Sequence, residues 1–322
     1  MPTLKTKLAA AGIAAVVALG AGSAIAAPLE LKIMAPAGAG GGWDSAARSV
    51  QQVMMEIGEA KSIQVINVPG AGGTVGLAQF INEARGSGNQ LMIGGLVMVG
   101  AILTNKAPVH LSQVTPIARL TGDPLVIVVP KSSPIKSVEE LTKAIKADTA
   151  RTIWAGGSAG GADHILAALV TQAAGADPSK INYVAFSGGG EALAAMLGGR
   201  VSAGVSGYSE FESQIKTGEL RALALSSGKR LEGVDVPTLK EQGVNIELSN
   251  WRGVFAGPDI SAEQKAAFGG AFGKMVASDA WAKLLKARGW DNSYLPADEF
   301  KTFIAAENER VGAVLKSIGL VK

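Results

Sequence analysis

Past residue 28 the chain repeats one pattern: a short apolar run, a glycine-rich turn, then apolar residues recurring near every 3.6 positions. Residues 29–35 read as a strand, 36–42 as a turn and 43–57 as a helix. Residues 63–68 then read as a strand, 69–73 as a turn and 74–84 as a helix. The middle of the chain does the same three more times. A strand at 152–155 leads through GGSAGG to a helix at 163–174, and one at 181–186 leads through SGGG to a helix at 191–197. A third, at 201–205, leads through Ser206-Gly207 to a helix at 210–216, followed by a strand at 220–225. Strands alternating with helices predict an α/β fold of parallel-rich sheets flanked by helices.

Two further apolar strands, at 125–130 and 250–257, read as crossings between lobes, and the mainly helical last sixty residues return to the first lobe. The expected architecture is a two-lobed, Venus-flytrap protein of the type II periplasmic-binding class, with a ligand cleft between the lobes. Lobe 1 comprises residues 27–124 plus 251–322, and lobe 2 comprises 125–250. Residues 1–26 read as a cleaved leader. Lys5 and Lys7 precede an uncharged stretch running to Leu29, and Ala24-Ile25-Ala26 forms the small-x-small pattern that signal peptidase reads. A membrane anchor over the same stretch fits less well, given its alanine and glycine richness and the Pro28 that follows. The expectation is a soluble exported protein in the periplasm.

Composition narrows the chemistry. The 322 residues include no cysteine, which removes disulfides, thiolate catalysis and cysteine-based zinc sites. His110 and His164 are the only histidines, so most metal and general-base chemistry lacks its usual residues. A net charge of +3 is too balanced for a nucleic-acid binder. No metal or cofactor is expected.

The glycine turns carry the functional signal. In an open parallel sheet the ligand lies beyond the carboxyl ends of the strands, where these turns sit. Each turn opens a helix whose first N–H groups lack backbone acceptors and whose dipole favours an anion. One such turn is ordinary loop-making; five together point to a small anion. No GxxxxGK[ST] phosphate loop exists, and Gly38-x-Gly40 is followed by Trp43 where a dinucleotide fingerprint needs glycine. A carboxylate ligand remains. Gly156-Gly157-Ser158-Ala159-Gly160 fits the GxSxG nucleophile elbow, but neither histidine falls where a hydrolase places its own. Ser158 is better read as a hydroxyl offered to a bound carboxylate. Asp44 is either an N-cap or an acceptor for a ligand hydroxyl, amine or water. Trp43 is either core or a pocket wall. Asp163 and His164 read first as first-turn residues that cap a helix and face solvent. Arg119 and Arg252 read as surface or hinge charges, and Glu307, Glu309 and Arg310 as a solvated helix face.

GGGWDSAAR at 40–48, PGAGGTVG at 69–76, YVAFSGGGEALAAMLGGRV at 183–201, GKRLEGVDVPTLKEQG at 228–243 and WRGVFAGP at 251–258 resemble the substrate-binding receptors of tripartite tricarboxylate transporters. The resemblance spans the whole chain after the leader. It implies a receptor, not an enzyme, that closes around a carboxylate using backbone amides and ordered water. It also implies handover to one large and one small integral membrane subunit; separately, the receptor itself is expected to be monomeric. The ligand-binding positions it implies are Gly40, Gly41, Gly42, Trp43, Asp44, Gly72, Gly73, Thr74, Ser158, Ala159, Gly160, Ser187, Gly188, Gly189 and Gly190, with Asp163 and His164 less firmly matched. Trp43 stands where many relatives carry a small residue before the aspartate, and with YVAF-x-GGGE it resembles the tricarboxylate branch, favouring citrate. A sensory input to a membrane kinase, or a serine hydrolase through Ser158, are the rival readings.

Overall fold

The computed structural model describes residues 28–186 and 189–322; the leader expected at residues 1–26 lies outside them. The chain opens with β1 (Leu29–Ala35), α1 (Gly42–Glu56), β2 (Ala60–Asn67), α2 (Thr74–Glu83), β3 (Gln90–Gly95) and α3 (Leu96–Thr104). β2, β1 and β3 lie side by side and parallel, as helical crossovers require. The chain leaves β1 toward one neighbour and returns to pair with its other side. The carboxyl end of β1 is therefore a switch point, where open α/β sheets hold ligands.

A second unit repeats this plan. After β4 (Thr115–Pro130) and α4 (Val138–Ala147) come β5 (Ile153–Gly156), α5 (Ala162–Ala173), β6 (Asn182–Ala185), α6 (Gly189–Leu197), β7 (Ala203–Gly207), α7 (Tyr208–Lys216) and β8 (Leu220–Leu225). β5 pairs in parallel with β6 on one side and β7 on the other, so its carboxyl end is a second switch point. The chain closes with β9 (Ser249–Ala256), α8 (Ala262–Val276), α9 (Asp279–Arg288), β10 (Asp291–Pro296) and α10 (Ala297–Ser317).

Among the described strands, parallel ladders are confined to these two units. β9 pairs antiparallel with β3 and β4, β10 pairs antiparallel with β4, and β7 and β8 do the same farther along. β4 is the shared strand. Its residues up to Pro124 pair with β9, and from Leu125 onward they pair with β7 and β8. Proline has no N–H to give to a ladder, which suits Pro124 to the point where one sheet hands over to the next. Ser226 laces this handover to the chain's return. Its buried hydroxyl accepts the Leu125 N–H at 2.9 Å and donates to the Leu248 carbonyl at 2.5 Å.

Helices cover the sheets with the faces their periodicity marks. α1 buries Ala46, Ala47, Val50, Val53 and Met54, one stripe at helical spacing. Beneath β9, Trp251 and Phe255 meet Phe300 of α10 at ring-centre distances of 5.6 and 5.3 Å. Burying each such ring contributes about 1.5–3 kcal/mol. One expected solvated charge is corrected here: Glu307 on α10 is buried, accepts the Trp251 indole N–H at 2.8 Å and pairs with Arg310. Arg119 is half-buried, donates to the Ser293 carbonyl at 2.6 Å and stacks over Phe303, tying β10 and α10 to β4. Its role is structural.

Candidate functional site

The turn after β1 places Gly40 at φ +81° and Gly41 as the residue capping α1. Gly42 is the first residue of the helix and Asp44 the third, so Asp44 is not the N-cap. It reaches back instead. Its Oδ2 accepts the Gly40 N–H at 2.8 Å and Arg48 Nε at 2.9 Å, while Oδ1 accepts the Asn67 amide at 2.9 Å. Burial pushes this carboxyl up, but Arg48, the Gly40 N–H and Asn67 together hold it below its ordinary value. Asp44 thus fixes the turn as a carboxylate whose charge is already paired with Arg48. Trp43 is buried against the other glycine turn of the same unit. A Cβ added at Gly73 would lie 2.5 Å from the indole, and one at Gly95 would lie 3.2 Å from its Nε1. Gly72 and Gly73 have φ of +63° and +90°, and Gly73 caps α2, which begins at Thr74. The Thr74 hydroxyl donates back to the Ala71 carbonyl at 3.0 Å.

The turn after β5 is held in a similar way. The Gly157 N–H donates to Asp163 Oδ2 at 2.7 Å, and the Gly157 carbonyl accepts from the Tyr183 hydroxyl at 2.8 Å. The Gly160 N–H donates to His164 Nδ1 at 3.2 Å. That bond leaves the proton of a neutral imidazole on Nε2. The ring stacks on Tyr183 with centroids 4.1 Å apart, and burial depresses its pKa to about 4. A histidine so placed supports the loop and is a poor base at neutral pH, which removes the partner a Ser158 nucleophile would need. Asp163 and His164 are both buried, not solvent-facing as first expected. Ser158 is half-buried and Ala159 is exposed. Gly160, at φ +74°, sits directly against α3: an added Cβ would collide with Thr104, and one at Gly100 would collide with the Gly160 carbonyl. The two units therefore meet across this turn.

Gly189 opens α6, and a side chain there would run into Glu210 and Ser206, which are hydrogen-bonded to each other. Gly190 is exposed. Ser187 and Gly188 lie outside the described residues.

A charged cluster joins these turns at the strand handover. Arg252, on β9, is buried, and its Nη2 donates to Asp123 Oδ2 at 2.5 Å. The surface or hinge charge expected of Arg252 is thus a buried ion pair. Its guanidinium presses on the start of α1, where a Cβ at Gly42 would come within 2.7 Å of Nη2. Asp123 in turn lies against Gly207, the end of β7. Burial raises Asp123 to about 6, with Arg252 pulling it down and Glu210 pushing it up. Burial likewise raises Asp163 to about 7, with Glu210 and Asp123 adding to the rise. Asp123, Asp163, Glu210 and Arg252 thus share one electrostatic neighbourhood between the carboxyl ends of both parallel units. Among the described residues no group of three or more acidic, histidine or cysteine side chains is arranged to hold a metal ion.

Residues 46–320 match the tripartite tricarboxylate transporter family receptor. The chain belongs to that family. It is 30% identical over 234 residues to the UPF0065 protein in the TAR-I ttuE-ttuC' intergenic region of Agrobacterium vitis, across 71% of this chain and 66% of that one. A TctC solute binding protein from Polaromonas shares 26% identity and superposes with a TM-score of 0.68, covering 89% of this chain and 98% of the other. MatC from Rhodopseudomonas palustris, with bound malate, shares 23% identity at a TM-score of 0.77, covering 89% and 98%. This tripartite tricarboxylate transporter family receptor is a two-lobed α/β periplasmic solute-binding protein, and its family comprises receptors, not enzymes. No helix among the described residues is long and apolar enough to cross a membrane.

Sequence reasoning passed over Asp123 and Glu210. Asp123 sits in a Gly-Asp-Pro stretch that reads as a turn, and Glu210 as an ordinary helix-start acid. The available signal was Arg252 within an otherwise apolar strand, because a buried arginine requires an acidic partner.

Proposed function

We propose that this receptor captures a small di- or tricarboxylate, citrate-like in character, in a cleft between its lobes and delivers it to a large and a small integral membrane subunit. The observation that carries the reading is the repeated unit: two parallel sheets, each with its switch point at a glycine turn that opens a helix. The candidate ligand-facing groups are the helix starts at Gly40–Asp44, Gly72–Thr74, Ser158–Gly160 and Ser187–Gly190. Trp43 is a wall, and Asp44, Asp163 and His164 brace the turns. Hydrogen bonds from such N–H groups to a carboxylate contribute about 1.5–3 kcal/mol each.

In this reading the lobes comprise residues 27–124 with 251–322, and 125–250. The handover at Pro124–Leu125 and the return near Ser249, stitched by Ser226, serve as the hinge. The chain works in the periplasm as a monomer after loss of residues 1–26. MatC carries malate, and a dicarboxylate of that kind is chemically close to the ligand proposed here.

Thermal unfolding with citrate, tricarballylate, malate, succinate, benzoate and phosphate tests the reading. A ligand at 100 times its Kd stabilises by about 2.7 kcal/mol, a shift of several degrees at roughly 2–4 °C per kcal/mol for domains of this size. A shift with the di- or tricarboxylates supports the receptor reading. No shift across the whole panel refutes it.

A further inference from the structure

Helix N-termini accept any carboxylate, so they do not explain how one acid is chosen over another. The β4–β9 ladder holds side chains suited to that choice. Asn250 and Arg252 are two residues apart on β9, and Asp123 stands opposite Asn250 in the ladder. Side chains with this spacing share one face of a sheet. Trp251, between them, takes the other face, against Phe300 and Glu307. On the shared face, Arg252 is 3% exposed, clamped by Asp123 through Nη2 and by Trp290, whose ring centre is 4.7 Å from the guanidinium carbon.

The clamp uses only part of the polar capacity present. Arg252 Nη1, Asp123 Oδ1 and Asn250 Oδ1 are all buried without a hydrogen-bond partner among the described residues. One cationic donor therefore stands with two acceptors, beside the start of α1 and within the field of Asp163. Buried polar groups are nearly always paired, and an orphaned one costs its full desolvation. A carboxylate oxygen complements the donor, and a hydroxyl on the adjacent carbon complements an acceptor. An acid lacking that hydroxyl leaves the acceptors unpaired, and hydrogen-bonding sites discriminate most strongly against such analogues.

We propose that Arg252, Asp123 and Asn250 form the selective end of the cleft, reading a second carboxylate together with its neighbouring hydroxyl. The receptor then prefers hydroxy-di- and hydroxy-tricarboxylates to the corresponding acids without the hydroxyl. This rests on the receptor reading above and specifies its ligand class.

Titration calorimetry on the exported chain, comparing citrate with tricarballylate and malate with succinate, tests it. The expected result is at least a tenfold preference for the hydroxy acid in one pair or both. Arg252→Gln combined with Asp123→Asn replaces the buried charges by a neutral pair and should reduce that preference to less than threefold. Asn250→Ala leaves the ion pair intact, guards against a folding failure of the double variant, and should weaken the preference at least threefold. Equal affinities within both pairs for the unaltered chain, or an undiminished preference in either variant, would overturn the proposal and leave the receptor reading standing. Absence of binding by all four acids would overturn the receptor reading itself.

Discussion

At the start of α1, Asp44 reaches back to the Gly40 N–H through the oxygen it shares with Arg48, with Asn67 on its other oxygen; at the start of α5, Asp163 reaches back to the Gly157 N–H, and the pull of Arg252 is the weakest influence on it. Both acids brace a glycine turn at the carboxyl end of a central parallel strand. Their charge states diverge because their neighbours do. Arg48 keeps Asp44 ionised, whereas burial and the acidic neighbours Glu210 and Asp123 hold Asp163 near pH 7. One local construction therefore yields a fixed anion in one parallel unit and a titrating acid in the other. A carboxylate ligand entering near Asp163 would favour its protonated form, because like charges raise a neighbouring pKa.

The largest expected effect breaks the comparison at the glycines. Gly40 and Gly160 both have positive φ, but Gly40 faces open space and Gly160 faces Thr104 of α3. Gly40→Ala should cost about 1 kcal/mol, the strain of a left-handed alanine. Gly160→Ala adds overpacking where the units meet and should cost roughly 3 kcal/mol or more. Chemical denaturation of the two variants measures the gap, and equal losses would mean that α3 does not press on the second turn.

Next in size is Asp163→Asn followed across pH. A folded pKa of about 7 against an ordinary 3.8 means the folded chain keeps a proton that the unfolded chain releases. The stability this confers is fully present below the ordinary value and is lost as pH rises through about 7. His164, depressed to about 4, acts in the opposite sense and completes its change by about pH 6.5. Asp163→Asn should therefore melt near the wild-type temperature only below the ordinary value of 3.8, and the gap should open as pH rises toward 7. At about pH 9 it should be the more stable protein by on the order of 1–4 kcal/mol. A parallel pH dependence of the two proteins would place Asp163 among ordinary carboxylates.

The smallest change sharpens the contrast from the other side. Arg48→Ala removes the cation from Asp44 and leaves the Gly40 and Asn67 bonds in place. The Asp44 carboxyl, read by NMR titration, should rise toward the behaviour of Asp163. Its stabilising contribution, normally lost only as pH falls through a depressed pKa, would then disappear at higher pH. An unmoved titration would assign the low value to Gly40 and Asn67 alone.

Much of the α/β plan was legible along the chain because local pattern encodes it. The strand read at 29–35 and the one at 220–225 coincide with β1 and β8, and the helices after the glycine turns begin within two residues of their reading. β3 and α3 escaped notice because Gln90–Gly95 and Leu96–Thr104 form one apolar stretch, buried on nearly every side. Such a stretch has neither period 2 nor period 3.6 to display. The first half of β4 was missed for a related reason, since Pro116 and Gly122 read as breaks until β9 pairs across them.

At the candidate site the division follows the same line. Glycine spacing, helix starts and the family pattern are one-dimensional, so Gly40–Asp44, Gly72–Thr74 and the 156–160 turn could be singled out without coordinates. Charge state and partnership are not one-dimensional. Asp44 and Asp163 look alike as early helix acids, and only packing decides that one meets Arg48 while the other meets buried acids. Arg252 and Asp123 are separated by more than a hundred residues and become partners because two distant strands lie in one ladder. Sequence determined which backbone shapes this chain could adopt. The tertiary structure decided which charges lost their water, because desolvation depends on every neighbour in space.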